Sequence, residues 1–119
     1  MQYGVIEIED MYFHAYHGHF EEEQVVGNNF IVYAHIETDC LAASKSDELD
    51  DALNYLKAYE LIQEEMQIPS KLLEHVTGRI LDRLYGEFGD QIKKVKIKVS
   101  KLNPPMGGQI GSVSVTQER

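Results

Sequence analysis

The chain has 119 residues, 43% hydrophobic and 26% charged, which is the size and make-up of one ordinary globular domain, residues 1–119. Its formal net charge of −9 argues against a nucleic-acid partner, whose phosphates need basic patches, and against an anionic membrane surface. Cys40 is the only cysteine, no apolar run approaches the roughly 20 residues of a membrane helix, and Met1 to Glu7 lacks the basic start of a secretory leader, so a reducing cytoplasm is the expected compartment.

Residues 5–16 are rich in β-branched and aromatic side chains and read as a first strand. The acidic residues 20–24, then Gly27-Asn28-Asn29, read as a turn or loop. Phe30, Val32, Ala34 and Ile36 alternate with Ile31, Tyr33, His35 and Glu37, which predicts a second strand paired with the first. Residues 42–53 are polar and acidic, a connection with a turn of helix.

Leu56, Tyr59, Ile62 and Met66 recur at helical spacing and predict a helix that Pro69 interrupts. Ser70 can cap a second helix, on which Leu73, Val76, Ile80, Leu84 and Phe88 form one apolar stripe. Gly86 and Gly89 stand where that helix should stop. Val95, Ile97 and Val99 then alternate with Lys94, Lys96 and Lys98. After Asn103-Pro104-Pro105 and the Gly107-Gly108 turn, Val113 and Val115 alternate with Ser112, Ser114 and Thr116. The order ββααββ predicts an α+β domain: a four-stranded antiparallel sheet with two helices on its apolar face and lysines on the other. Its two open edges suit copies joined edge to edge around a wet centre, and equally a solvated single sheet.

Lys101 has the parity of Val95, Ile97 and Val99, which would put an amine at the end of an apolar row. Partial burial there favours the neutral form that proton transfer needs. If the strand has already ended, Lys101 is a solvated loop lysine, and parity alone favours that simpler reading. Glu74 falls in the first turn of the second helix, where the dipole welcomes a carboxylate. Between Leu73 and Val76 it could instead face a cleft and accept two hydrogen bonds from an amidine-like edge. The run Glu21-Glu22-Glu23 reads locally as a solvated acidic loop, and Tyr55 as a packing aromatic. His17, His19 and His35 could be brought together as zinc ligands, but strand and turn histidines are the simpler reading. The single cysteine has no nucleophile signature around it, and Gly107-Gly108 is no phosphate loop.

Taken in order, several short pieces resemble the dihydroneopterin aldolase family over nearly the whole chain. They are Tyr16-His17-Gly18 with Glu23 and Gly27 downstream, Ser46-Asp47 leading to Leu53-Asn54-Tyr55, Leu72-Leu73-Glu74-His75, and Lys101-Leu102-Asn103-Pro104-Pro105. The resemblance implies the tunnelling fold, in which four ββααββ subunits close a barrel and two rings stack into a homo-octamer with sites at subunit interfaces. It implies a small-molecule pterin substrate and no cofactor or metal. Glu74 would hold the pterin's amino and ring N–H groups with the Leu73 backbone beside it. Lys101 would be the acid–base residue, working through water, and Tyr55 would reach in from a neighbouring subunit. Glu23 would position the hydroxylated tail, with His17-Gly18 structural. Residues 19–22 make the mouth more acidic than the family's usual pattern, and Met106-Gly107-Gly108 is a common variation. The implied reaction is metal- and Schiff-base-independent retro-aldol cleavage of 7,8-dihydroneopterin, with 2′-epimerase side activity. The alternatives are a dihydroneopterin triphosphate 2′-epimerase, a zinc-dependent pterin synthase of the same fold, and a non-catalytic pterin-binding ring protein.

Overall fold

The computed structural model describes residues 3–119; Met1 and Gln2, which open the stretch read as no leader, lie outside them. Four antiparallel strands pair in chain order: β1 (Tyr3–Ala15), β2 (Asn28–Asp39), β3 (Ile92–Leu102) and β4 (Ser112–Glu118). Two long helices, α3 (Tyr55–Met66) and α4 (Leu73–Phe88), come between β2 and β3. Two short ones, α1 (Glu21–Val25) and α2 (Leu41–Ser46), occupy the connections on either side of β2.

Period-two patterning makes the sheet two-faced. Val32, Ala34 and Ile36 of β2 and Val95, Ile97 and Val99 of β3 are fully buried. They meet Ile62 and Met66 of α3 and Val76, Ile80 and Leu84 of α4 in one core. Fully burying one such side chain is worth about 1.5–3 kcal/mol, so this layer is the main source of stability. The opposite face carries Lys94, Lys96 and Lys98 opposite Glu37, His35 and Tyr33.

Strand β1 keeps to that pattern only by means of a bulge. Ile8 pairs with Ala34 and Met11 with Val32, so one extra residue sits on β1. Asp10 absorbs it with φ 53. Before the bulge even-numbered Ile6 and Ile8 pack on the core; after it odd-numbered Met11, Phe13 and Ala15 do.

Several local readings need correction. Residues 20–24 are not a loop but the start of α1, which spans Glu21–Val25. Leu56 is 60% exposed and off the α3 stripe, whose buried positions are Ala58, Leu61, Ile62, Glu65 and Met66. Ser70 does not cap α4; the N-cap is Leu72, with no side-chain hydrogen bond. The Ser70 hydroxyl is already taken, accepting from Arg79 at 2.9 Å and bonding His75 Nδ1 at 2.7 Å. Gly86 lies within α4, and Gly89 stops it with a positive φ of 50°.

Candidate active site

Strand β3 runs on to Leu102, so Lys101 is not a loop lysine. It pairs with Phe30 on one side and Val113 on the other, in the same inward row as Val99. Its ammonium therefore meets the rim of the core, and its side chain is only 12% exposed. A charge so placed needs a partner. Glu23 supplies it: its Oε2 accepts from Lys101 Nζ at 2.6 Å, and its side chain is 6% exposed. The acidic run is therefore not uniformly solvated, since Glu21 and Glu22 face water while Glu23 turns inward.

Glu23 also explains why α1 forms. Its Oε1 accepts a long bond from the Phe20 N–H at 3.4 Å, satisfying one of the donors a helix start leaves free. The five-residue helix is too short to hold by itself and depends on such tertiary ties. Below it lies Gly18, where a Cβ would come within 2.4 Å of the Glu23 carboxyl carbon and 2.6 Å of its Cβ. Gly27, with φ 78, turns the chain from α1 into β2. On the far side, Asn28 Nδ2 donates to the Leu102 carbonyl at 2.8 Å and braces the strand end that carries Lys101.

His17 is wholly buried, edge-on to Phe30. Its Nδ1 accepts from the Ser70 N–H at 3.1 Å, and the Gly18 N–H donates to the Ser70 carbonyl at 2.9 Å. Burial, helped by the Arg79 charge, lowers the His17 pKa to about 4, so the ring is neutral with its proton on Nε2. The Met66 carbonyl opposes part of that shift, although it lies outside hydrogen-bond geometry of the buried Nε2.

The three histidines do not converge. His17 is on the inner side of the sheet, His19 is exposed beside Phe20, and His35 is on the outer face near Glu37. Among the described residues no three His, Cys, Asp or Glu side chains are grouped to hold a metal ion. The zinc alternative loses its ligand set on this geometry.

Glu74 and Tyr55 take no part in the hydrogen bonding of the Lys101–Glu23 pair. Glu74 is in the exposed first turn of α4, its backbone carbonyl accepting from Gln117 Nε2 at 3.1 Å. Because Leu72 offers no side-chain cap, the first amides of α4, beside buried Leu73, are left to other partners. Tyr55 opens α3, where Asn54 Oδ1 accepts from the Leu56 and Lys57 N–H groups. It is 64% exposed, not packed. Neither the Tyr55 nor the Glu74 side chain makes a hydrogen bond or ion pair among the described residues. A cavity of about 390 Å³ is lined by Phe20, Glu21, Glu22 and Pro105, from the start of α1 and the connection after β3. A cavity of about 500 Å³, lined by Tyr33, Lys96 and Lys98 among others, lies on the outer face of the sheet, away from the Lys101–Glu23 pair.

The dihydroneopterin aldolase family model matches residues 6–118, almost the whole chain. The chain belongs to the dihydroneopterin aldolase family. The dihydroneopterin aldolase of Streptococcus pyogenes serotype M18 is 34% identical over 115 residues, 96% of each chain. That of Bacillus subtilis is 33% identical over 109 residues, 91% of this chain and 90% of the other. Among solved structures, the Escherichia coli dihydroneopterin aldolase in complex with neopterin superposes with a TM-score of 0.89 at 24% identity, covering 98% of both chains. A Vibrio cholerae protein assigned to the same activity gives 0.90 at 22% identity, covering 100% of this chain and 98% of the other. These likenesses settle the fold: an α+β chain with a four-stranded antiparallel sheet and its helices on one face. Within the family's expected site, sequence reasoning missed the direct Lys101–Glu23 contact and the His17–Ser70 anchor. The available signal was parity: Lys101 continues the row of Val99, and His17 that of Phe13 and Ala15.

Proposed function

We propose that this chain, residues 1–119 as one domain, is a cytoplasmic dihydroneopterin aldolase of folate synthesis, an aldehyde-lyase that uses neither metal nor Schiff base. The observation that carries the reading is the enclosed Lys101–Glu23 pair at the end of β3 in a member of this family. It sets an amine and a carboxylate side by side, partly enclosed, at the end of a strand.

The substrate, 7,8-dihydroneopterin, brings its own electron sink. Its ring holds a C=N bond next to the side chain, a role that an aldolase otherwise fills with a lysine imine or a metal. A base takes the 2′-hydroxyl proton, the C1′–C2′ bond breaks, and its electron pair moves into the ring as the ring nitrogen gains a proton. Glycolaldehyde leaves. The enamine is then protonated on C1′ as the ring nitrogen gives up its proton, which restores the C=N bond and gives 6-hydroxymethyl-7,8-dihydropterin. Lys101, through an ordered water, serves both transfers, each worth on the order of a hundredfold. Glu23 holds the amine and the hydroxylated tail. Glu74 and the free amides beside Leu73 take the pterin's amino and ring N–H groups, which fixes orientation and binding. Glycolaldehyde that turns over and rebinds by its other face gives the 2′-epimer, so epimerisation is a side reaction.

Because the Glu74 and Tyr55 side chains are exposed and unpartnered, the complete site lies between subunits, with Tyr55 supplied by a second copy. Two open sheet edges, β1 and β4, suit closure into a ring and an octamer of two stacked rings. The acidic lip of Glu21 and Glu22 disfavours a triphosphate, which weighs against the epimerase alternative. The deciding experiment incubates metal-free protein with 7,8-dihydroneopterin and assays glycolaldehyde. Pterin binding with no glycolaldehyde would sink the aldolase reading and leave a non-catalytic pterin-binding protein.

A further inference from the structure

Among the described residues Glu23 is the one group that hydrogen-bonds Lys101 through its side chain, yet the helix that carries it spans only five residues. Something else must fix its position. Three contacts converge on Gly18 directly beneath it. The Gly18 N–H donates to the Ser70 carbonyl at 2.9 Å, and the Gly18 carbonyl accepts from Gln24 Nε2, one residue past Glu23, at 3.1 Å. The space where a Gly18 side chain would stand is filled by Glu23 itself, with its Oε1 and Cδ each 2.4 Å from an added Cβ. Ser70 is in turn immobilised. Its N–H donates to buried His17 Nδ1 at 3.1 Å, and its hydroxyl accepts from Arg79, which ion-pairs with Glu65 of α3.

We propose that His17 and Gly18 are positioning residues for proton transfer: His17 locks the β1–α1 loop to the α3–α4 turn, and Gly18 supplies the slot that sets the Glu23 carboxylate against Lys101. The chain of contacts runs from the helix pair through Ser70 and Gly18 to Glu23 and then Lys101, with no gap in it. His17 suits the anchor because a neutral ring accepts a hydrogen bond where a charged one could only donate. The inference rests on the aldolase reading for its kinetic consequence, but not for its structural one.

The test is Gly18→Ala, read twice. In a crystal structure of the full-length variant, the Lys101 Nζ to Glu23 Oε2 separation opens from 2.6 Å to beyond hydrogen-bond reach. In turnover, kcat falls about a hundredfold, the cost of a misplacement of about 1 Å, while the Kd for neopterin, held mainly through its ring, rises by a far smaller factor. Adding Gly18→Ala to Glu23→Ala causes no further loss of kcat, because both changes remove the same contact. A merely structural glycine would give losses that multiply. Should Gly18→Ala not fold, the anchor gives the same comparison from its other end. There His17→Ala separates the pair and lowers kcat, while His17→Asn, whose amide oxygen replaces Nδ1 as acceptor, restores both. An unmoved Glu23–Lys101 pair in the folded variant, or multiplicative losses with Glu23→Ala, overturns the proposal. Absence of glycolaldehyde release by the parent protein would count against the assigned reaction alone, since the separation is measured without turnover.

Discussion

Two carboxylates are equally hidden in this molecule and do opposite things. Glu65 on α3 and Glu23 on α1 have side chains 7% and 6% exposed. Glu65 is saturated in charge: Arg79 reaches one oxygen and Arg83 the other at 2.7 Å, two guanidiniums on one carboxylate, and Arg79 also donates to the Glu65 and Ile68 carbonyls and to the Ser70 hydroxyl. Glu23 has one amine, plus one amide at 3.4 Å. A buried carboxylate clamped between two guanidiniums is a rivet between helices, whereas one that meets a single charged donor keeps acceptor capacity for a substrate.

The largest effect that tests this contrast is on the saturated side. Arg79→Ala leaves Glu65 short of a partner in the interior and should cost about 3–5 kcal/mol of stability in urea unfolding. The fraction still folded should also lose kcat, because Arg79 holds Ser70 and through it Gly18 and Glu23, and an unchanged kcat there would mean that the two clusters are independent.

Acid should come next. His17 takes up a proton near 6.5 in the unfolded chain but only at about 4 when folded. Above pH 6.5 the ring is neutral in both states and contributes no pH dependence. Between about 6.5 and 4 only the unfolded chain gains the proton, so stability falls as pH falls, by up to about 1.4 kcal/mol per pH unit and about 3 kcal/mol in all. His17→Asn should flatten that slope in unfolding curves taken across the window.

On the unsaturated side, Lys101→Ala should lower kcat about a hundredfold or more with little change in pterin affinity, whereas Glu74→Ala should raise Kd and spare kcat at saturation. Equal losses in both parameters for both variants would erase the division of labour. The smallest effect belongs to Arg83, whose side chain is 42% exposed. Arg83→Ala should cost about 1 kcal/mol or less, with no kinetic change.

How much of this was legible beforehand depended on whether a feature is set by neighbours in sequence or in space. The strands and long helices follow from alternation and 3.6-residue spacing, and Val95, Ile97 and Val99 fall inward as their period requires. Lys101 could be placed in that row but not in the strand, because the strand's length is set by pairing with Phe30 and Val113. Ser70 has the chemistry of a cap, yet its hydroxyl is drawn to Arg79 and His75, and only folding brings the former within reach. Residues 21–25 look like a charged loop because nothing local says that Glu23 will find an amine 78 positions downstream. Leu56 fits the apolar spacing of α3 but lies on its exposed side, away from the buried row of Ala58, Leu61, Ile62, Glu65 and Met66. The role proposed for exposed Tyr55 depends on another copy of the chain, whose geometry no single sequence contains.

The extra residue at Asp10 makes β1 two half-strands of opposite phase. Deleting it would leave Ile8 and Met11 two residues apart, as Ala34 and Val32 are, so the strand would become regular with both halves still facing the core. A chimera that exchanges the bulge for a regular segment of the same length would instead turn Ile6 and Ile8 out towards the lysine face and drive Glu7 into oil.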